Sequence, residues 1–110
     1  MKKFRDAFGG LGLALKEKSV RIQCVLGVLA IIGGIIIRLD CYEWLAFVIC
    51  IGLVISLEIV NSVIEKLCDL YSERYDERIR IIKDMSSGFV LSASICALIV
   101  CIITLLRRIP

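Results

Sequence analysis

The stretch WLAFVICIGLVISLEIVNSVI, residues 44–64, decides the fold because it is a long apolar run that ends in polar side chains. Its length is close to the roughly 20 residues that a membrane-spanning helix requires. Two further runs, residues 20–37 and 85–106, have a similar length and the same apolar character. The sequence therefore predicts an all-α membrane protein with three transmembrane helices, in a single domain over residues 1–110.

The composition excludes several classes of protein. With 59% hydrophobic residues and a mean hydropathy of +0.90, the chain is too apolar for an ordinary soluble domain of its size. Because the basic residues are clustered between the apolar runs, the net charge of +3 predicts no nucleic-acid partner. The six cysteines show no CxxC spacing, and the chain has no histidine, so we interpret the cysteines as packing residues. A chain of 110 residues buries little surface alone, which predicts a homo-oligomer.

The segment before the first apolar run predicts a helix of another kind. Phe4, Phe8, Leu11 and Leu15 recur at the spacing of one helix face, and lysines flank them. The segment is too polar to span a bilayer. We therefore expect an amphipathic helix over about residues 4–16 that lies in the membrane interface beside membrane lipids.

The distribution of basic residues predicts the orientation. Six lysines and arginines lie at or before Arg21 and five lie in residues 66–83, whereas Arg38 is the one basic residue between the first two runs. Basic residues are enriched on the cytoplasmic side. The bias predicts a cytoplasmic N-terminus, although Arg107 and Arg108 at the other end count against it.

A polar stripe follows the second apolar run. Offsets of 0, 3, 4, 7 and 11 place its members on one face of a helix: Glu58, Asn61, Ser62, Glu65 and Asp69. Measured from Trp44, Glu58 lies about 21 Å along the helix and Glu65 about 32 Å, so the stripe runs from inside the bilayer into water. An ionisable side chain at the depth of Glu58 is expected to face a protein interior or a polar cavity.

A second group of candidate residues precedes the third run, where Lys83 and Asp84 map to the same membrane face as Glu17 and the stripe. Phosphoryl transfer requires oxygen ligands for a divalent cation, a positive charge on the phosphates and a base for the attacking hydroxyl. All these residue types are present. The structural alternative is that Glu58 pairs with Lys83, or that Lys83 reaches to the interface and Asp84 interacts with a helix N-terminus. No GxxxxGK[ST] phosphate loop occurs.

The pattern ExxNSxIExxxD at residues 58–69, followed by Lys83 and Asp84 and a turn of small residues, resembles the small bacterial integral-membrane diacylglycerol kinase and undecaprenol kinase family. The segment FRDAFGGLGLALKEKSVRIQ, residues 4–23, is also similar to the start of that family, and the resemblance covers essentially the whole chain. The chain departs from it where Ser19 and Gln23 replace the common Asn and His. In residues 82–88 it also has Ser where Ala is usual.

The resemblance implies a homotrimer of three-span protomers, with active sites at the membrane interface that the protomers share. It implies Mg²⁺ and ATP as cofactor and co-substrate, and a lipid alcohol, undecaprenol or diacylglycerol, as phosphate acceptor. It also implies roles for individual residues. Glu58 is the implied general base, Glu17 and Glu65 are implied metal ligands, and the implied partners in the nucleotide or metal site are Asn61, Lys83 and Asp84.

Two other classes of function fit parts of the pattern. A small proton-coupled transporter or channel could use Glu58 to carry a proton. Transporter sites usually lie near the bilayer midplane, whereas this cluster is displaced toward one face. A non-catalytic scaffold would leave the acidic stripe without a physical purpose.

Overall fold

The computed structural model describes residues 2–109, and four α-helices account for nearly all of them. They are α1 (Lys2–Ala14), α2 (Lys18–Ile36), α3 (Cys41–Tyr71) and α4 (Glu77–Leu106). The last three are long and apolar enough to cross a membrane. The predicted all-α, multi-pass architecture is therefore confirmed.

The helix ends differ from those that the apolar runs predicted. The helix expected over residues 4–16 occupies Lys2–Ala14, α3 continues beyond the run at 44–64, and α4 begins well before residue 85. The long polar connection between the second and third spans is thus reduced to residues 72–76. Hydrophobicity marks the part of a helix that contacts lipid, whereas the helix itself continues until its end groups are capped.

Residue Asp76 provides the cap that starts α4. Its side chain accepts a hydrogen bond from the backbone N–H of Arg78 at 2.8 Å. The Arg78 guanidinium also donates to it, and these bonds hold the pKa of Asp76 below its ordinary value. This local capping explains why α4 begins in a strongly charged segment.

The turn between α2 and α3 depends on a close approach at Gly34. Arg38 has a left-handed backbone with φ of 58°, and the N–H of Leu39 donates to the carbonyl of Gly34 at 3.1 Å. This is the pattern of a Schellman C-cap. A Cβ on Gly34 would lie 2.7 Å from Leu39 Cδ1 and 2.9 Å from Trp44 Cη2, so only glycine fits there without displacing both side chains.

Helix α3 lies between the other two long helices and contacts both. Gly27 allows α2 to come close, since a Cβ there would lie 3.0 Å from Ile51 Cγ2. Few apolar side chains are buried, and most of the large apolar side chains on α2, α3 and α4 are exposed. Such a surface belongs against lipid or another protein chain. Gly27 and Gly34 are both buried on α2, next to side chains of α3.

A buried ion pair joins the three long helices at the end opposite the polar stripe. Glu43 is 5% exposed, and Arg108 donates to both of its carboxylate oxygens at 2.7 Å. Arg108 also donates to the carbonyls of Ile37 at 3.2 Å and Arg38 at 3.0 Å. The arginines that run against the charge bias therefore have a structural role, with Arg107 adding a contact of 3.3 Å to Glu43.

We expect Arg108→Ala to lower the melting temperature of the purified protein more than Arg107→Ala does. The first change removes both short bonds to a buried carboxylate, and the second removes only longer contacts. Thermal unfolding in a single detergent, followed by circular dichroism, compares the two variants. Equal melting temperatures would contradict a special role for Arg108.

Candidate active site at one end of the helices

The predicted site residues all lie at one end of the three long helices. The start of α2, the last turns of α3 and the first turns of α4 meet there because successive helices run in opposite directions. We call this the site end, and it comprises residues 17–23, 58–71 and 77–87. It carries all six predicted site residues: Glu17, Glu58, Asn61, Glu65, Lys83 and Asp84.

Glu58 is buried, with only 7% of its surface exposed. It lies on α3 between the side that contacts α2, near Ile51 and Ile55, and the side where Asn61 contacts α4. This agrees with the expectation that the side chain faces away from lipid. Within residues 2–109, no side-chain hydrogen bond or ion pair engages its carboxyl group. The predicted alternative, a pair with Lys83, is not formed, because Lys83 pairs with Asp69 instead.

Asn61 links the two helices that carry most of the site. The Ser86 hydroxyl on α4 donates to Asn61 Oδ1 at 2.6 Å, and Asn61 Nδ2 donates to Glu65 Oε1 at 3.0 Å. Asn61 is 7% exposed and Ser86 only 1%. Sequence reasoning found Asn61 and Glu65 but gave Ser86 no role. The one signal for Ser86 in the sequence was that it stands in a segment where the resembling family usually has alanine.

Glu17 reaches the site end from the N-cap position of α2. Its side chain makes no capping bond, and its Oε1 instead lies 2.7 Å from Lys66 Nζ on α3. Lys66 directly follows Glu65 in sequence, so this ion pair brings Glu17 to the same turn of α3. Lys66 was not among the predicted site residues, since a lysine near a membrane boundary has no distinctive signal in sequence.

Lys83 and Asp84 both lie in ion pairs on the surface of the site end. Lys83 Nζ lies 2.8 Å from Asp69 Oδ1, which connects α4 to the outer part of the polar stripe. Asp84 accepts from Arg80 Nη1 at 2.8 Å, and Arg80 also contacts Glu77 at 2.6 Å. Lys83 therefore bridges two helices, whereas Asp84 is held within its own helix.

The carboxylates suit a cation that arrives with phosphate groups. In the part of the chain that the structure describes, no three Cys, Asp or Glu side chains converge closely enough to hold a metal ion alone. Mg²⁺ is usually bound by one or two carboxylates together with substrate phosphates, so a complete protein cage is not needed. Glu65 Oε1 accepts from Asn61, and its Oε2 accepts no hydrogen bond from any described residue, whereas Glu17 is paired with Lys66. Their hard oxygen donors fit Mg²⁺.

A cavity of about 600 Å³ lies between α1 and the site end of α3. Its wall is mainly apolar, and its charged residues are Lys16, Glu17 and Lys66. On α1 the lining residues are Gly10, Leu13 and Ala14, which lie on a different side of the helix from Phe4, Phe8 and Leu11. Such a lining matches a molecule with an apolar tail and a polar head.

Comparison with known proteins adds independent information. Residues 5–105 match the family model for prokaryotic diacylglycerol kinase. An undecaprenol kinase of Bacillus subtilis (strain 168) is 30% identical over 97 residues, which cover 88% of this chain and 76% of that protein. A diacylglycerol kinase of Synechocystis sp. (strain ATCC 27184 / PCC 6803 / Kazusa) is 32% identical over 99 residues, which cover 88% of this chain and 57% of that protein. The two relatives are named for different lipids, so similarity alone does not select the acceptor.

Proposed function

Since the chain belongs to the prokaryotic diacylglycerol kinase family and is a lipid kinase, we propose that it transfers the terminal phosphate of ATP to a lipid hydroxyl. Undecaprenol is the first candidate acceptor and diacylglycerol the second. The observation that carries the proposal is Glu58, a carboxylate 7% exposed and without a partner among residues 2–109. The family assignment favours this reading of Glu58 over a proton-coupled transporter or channel.

In the proposed reaction Glu58 is the general base that accepts the proton of the lipid hydroxyl. A base must lie where the hydroxyl arrives and must not be neutralised by another contact. Ser62 lies one helical turn beyond Glu58 and lines the cavity between α1 and α3. The cavity lining therefore begins next to the proposed base, and an apolar tail can occupy the space along Leu13, Ile59 and Val63.

The remaining residues of the site end are proposed to hold the nucleotide. Glu17 and Glu65 would bind Mg²⁺, and Lys83 would bind the phosphates by charge. Asn61 and Asp84 would complete the nucleotide or metal site. Bound Mg²⁺ would neutralise negative charge on the transferring phosphate. Lys83 contacts Asp69, so it must leave that carboxylate in order to bind phosphate. Glu17 contacts Lys66, so it must loosen that ion pair in order to bind the cation.

We propose that the site end faces the cytoplasm, in the inner membrane of a bacterial cell. The charge bias supports this, because six basic residues up to Arg21 and five in residues 66–83 fall on that side. A water-soluble nucleotide could then meet a lipid hydroxyl at the interface. The exposed Phe4, Phe8 and Leu11 of α1 would lie in the acyl chains beside it.

We further propose that the chain forms a homotrimer with sites shared between protomers. Most apolar side chains on α2, α3 and α4 are exposed within one chain, and they offer a surface on which a second chain can pack. We expect light scattering of the detergent-solubilised protein, corrected for bound detergent, to give a mass of three chains. A mass of one chain would contradict the trimer and any shared site.

A phosphate-transfer assay tests the function directly. The purified protein is placed in lipid nanodiscs with labelled ATP and Mg²⁺, and with undecaprenol or diacylglycerol at equal mole fraction. We expect labelled lipid phosphate in both cases and faster labelling of undecaprenol. Labelling of neither lipid would contradict the proposed function. A preference for diacylglycerol would reverse the proposed acceptor.

A further inference from the structure

Ser86 holds one end of a hydrogen-bond chain that reaches the proposed metal ligand. Ser86 lies two helical turns after Ile79 in α4 and is only 1% exposed. Its hydroxyl contacts Asn61 Oδ1 at 2.6 Å, and Asn61 in turn contacts Glu65 at 3.0 Å. A hydroxyl this deeply buried is normally hydrogen-bonded, and here the bond crosses from α4 to α3.

The chemistry of the three groups fixes the direction of the chain. An ionised carboxylate only accepts hydrogen bonds, so Asn61 must present its NH₂ group to Glu65. The amide carbonyl then faces Ser86, whose hydroxyl must donate to it. If the amide turned over, its oxygen would face the carboxylate and its NH₂ group would face the hydroxyl. The Glu65 carboxylate therefore selects the orientation of the amide, and the Ser86 hydroxyl holds the amide in that position by donating to its carbonyl.

We propose that Ser86 is a positioning residue for the divalent cation, acting through Asn61 on Glu65. By fixing the amide, it keeps Oε1 of Glu65 bound and leaves Oε2 for the cation that accompanies the nucleotide. The proposal rests on the proposed function, since it takes Glu65 to be a cation ligand. It gives a role to a serine in the segment where the resembling family usually has alanine.

Loss of the Ser86 hydroxyl should loosen Glu65 without separating the helices. In Ser86→Ala the Asn61 carbonyl loses its donor in a buried position, and the Asn61 side chain is no longer anchored to α4. The contact between α3 and α4 also includes the Lys83–Asp69 pair, which this substitution leaves intact. The substitution removes a single oxygen atom, so it adds no bulk to the interface.

The test compares Ser86→Ala with Ser92→Ala in the full-length protein. Ser92 lies on the same helix, but it is exposed and donates to the Gly88 carbonyl within α4 at 2.8 Å. We expect Ser86→Ala to weaken Mn²⁺ binding, measured by electron paramagnetic resonance with a non-hydrolysable ATP analogue, about three- to tenfold. The Mg²⁺ concentration for half-maximal turnover should rise by a similar factor. Ser92→Ala should match the wild type in both measurements.

A double mutant separates positioning from simple packing. If Ser86 acts through Asn61, Ser86→Ala should have no further effect on Mn²⁺ affinity once Asn61→Ala is present. Unchanged Mn²⁺ affinity in the single mutant, or additive losses in the double mutant, would overturn the role of Ser86. A wild-type chain that binds Mn²⁺ with nucleotide but phosphorylates neither lipid would instead overturn the proposed function.

Discussion

Glu58→Gln is expected to lower the turnover number of phosphate transfer by about 10² to 10⁴, the contribution typical of a general base. Glutamine has nearly the same shape but cannot accept the proton of the lipid hydroxyl. Because Glu58 makes no side-chain hydrogen bond within residues 2–109, the substitution breaks no contact in the chain. The affinity for ATP should therefore remain within about twofold of the wild type.

The measurement separates chemistry from binding and from folding. Turnover is followed with labelled ATP and saturating lipid, nucleotide affinity by calorimetry, and stability by thermal unfolding. Glu73→Gln is the matched control, since Glu73 is an exposed acid in the connection between α3 and α4. Normal turnover in Glu58→Gln would remove Glu58 as the base. The transporter alternative would be supported if vesicles containing the wild-type protein took up protons without ATP and vesicles containing Glu58→Gln did not.

Much of the fold follows from local sequence patterns. The apolar runs correctly predicted three membrane-crossing helices, because spanning length and hydrophobicity are properties of contiguous residues. Helical periodicity correctly put Asn61 and Glu65 on one face, where they are hydrogen-bonded. The helix ends were less accurate, because the polar first turns of α4 are stabilised by the Asp76 cap and not by hydrophobicity.

Contacts between distant residues were not predictable. Glu43 and Arg108 are 65 residues apart, and neither position has a local signal for the other. The choice of partner for each lysine was equally open, because several acids share one face of α3. The structure selects Asp69 for Lys83 and Glu17 for Lys66, which leaves Glu58 unpaired within residues 2–109. This outcome supports the proposal that Glu58 is the general base, since an ion pair with Lys83 was the simplest structural explanation for a glutamate at this depth.

The second large effect is expected from Glu65→Ala. The variant should lose at least about 100-fold in turnover and should no longer respond to added Mg²⁺, because a proposed cation ligand is gone. Its oligomeric mass and melting temperature should stay close to those of the wild type. Among residues 2–109, Asn61 is the one side chain that hydrogen-bonds to Glu65, and the bond from Ser86 to Asn61 survives the change.

Three measurements on Glu65→Ala decide between a ligand and a structural acid. They are turnover as a function of Mg²⁺ concentration, Mn²⁺ affinity with a non-hydrolysable ATP analogue, and mass by light scattering, each repeated for Glu73→Ala. A ligand role requires the first two to fall while the mass and the control stay unchanged. If Glu65→Ala kept its Mg²⁺ response, the metal assignment would be wrong. Glu17 would then be the remaining proposed metal ligand at the site end.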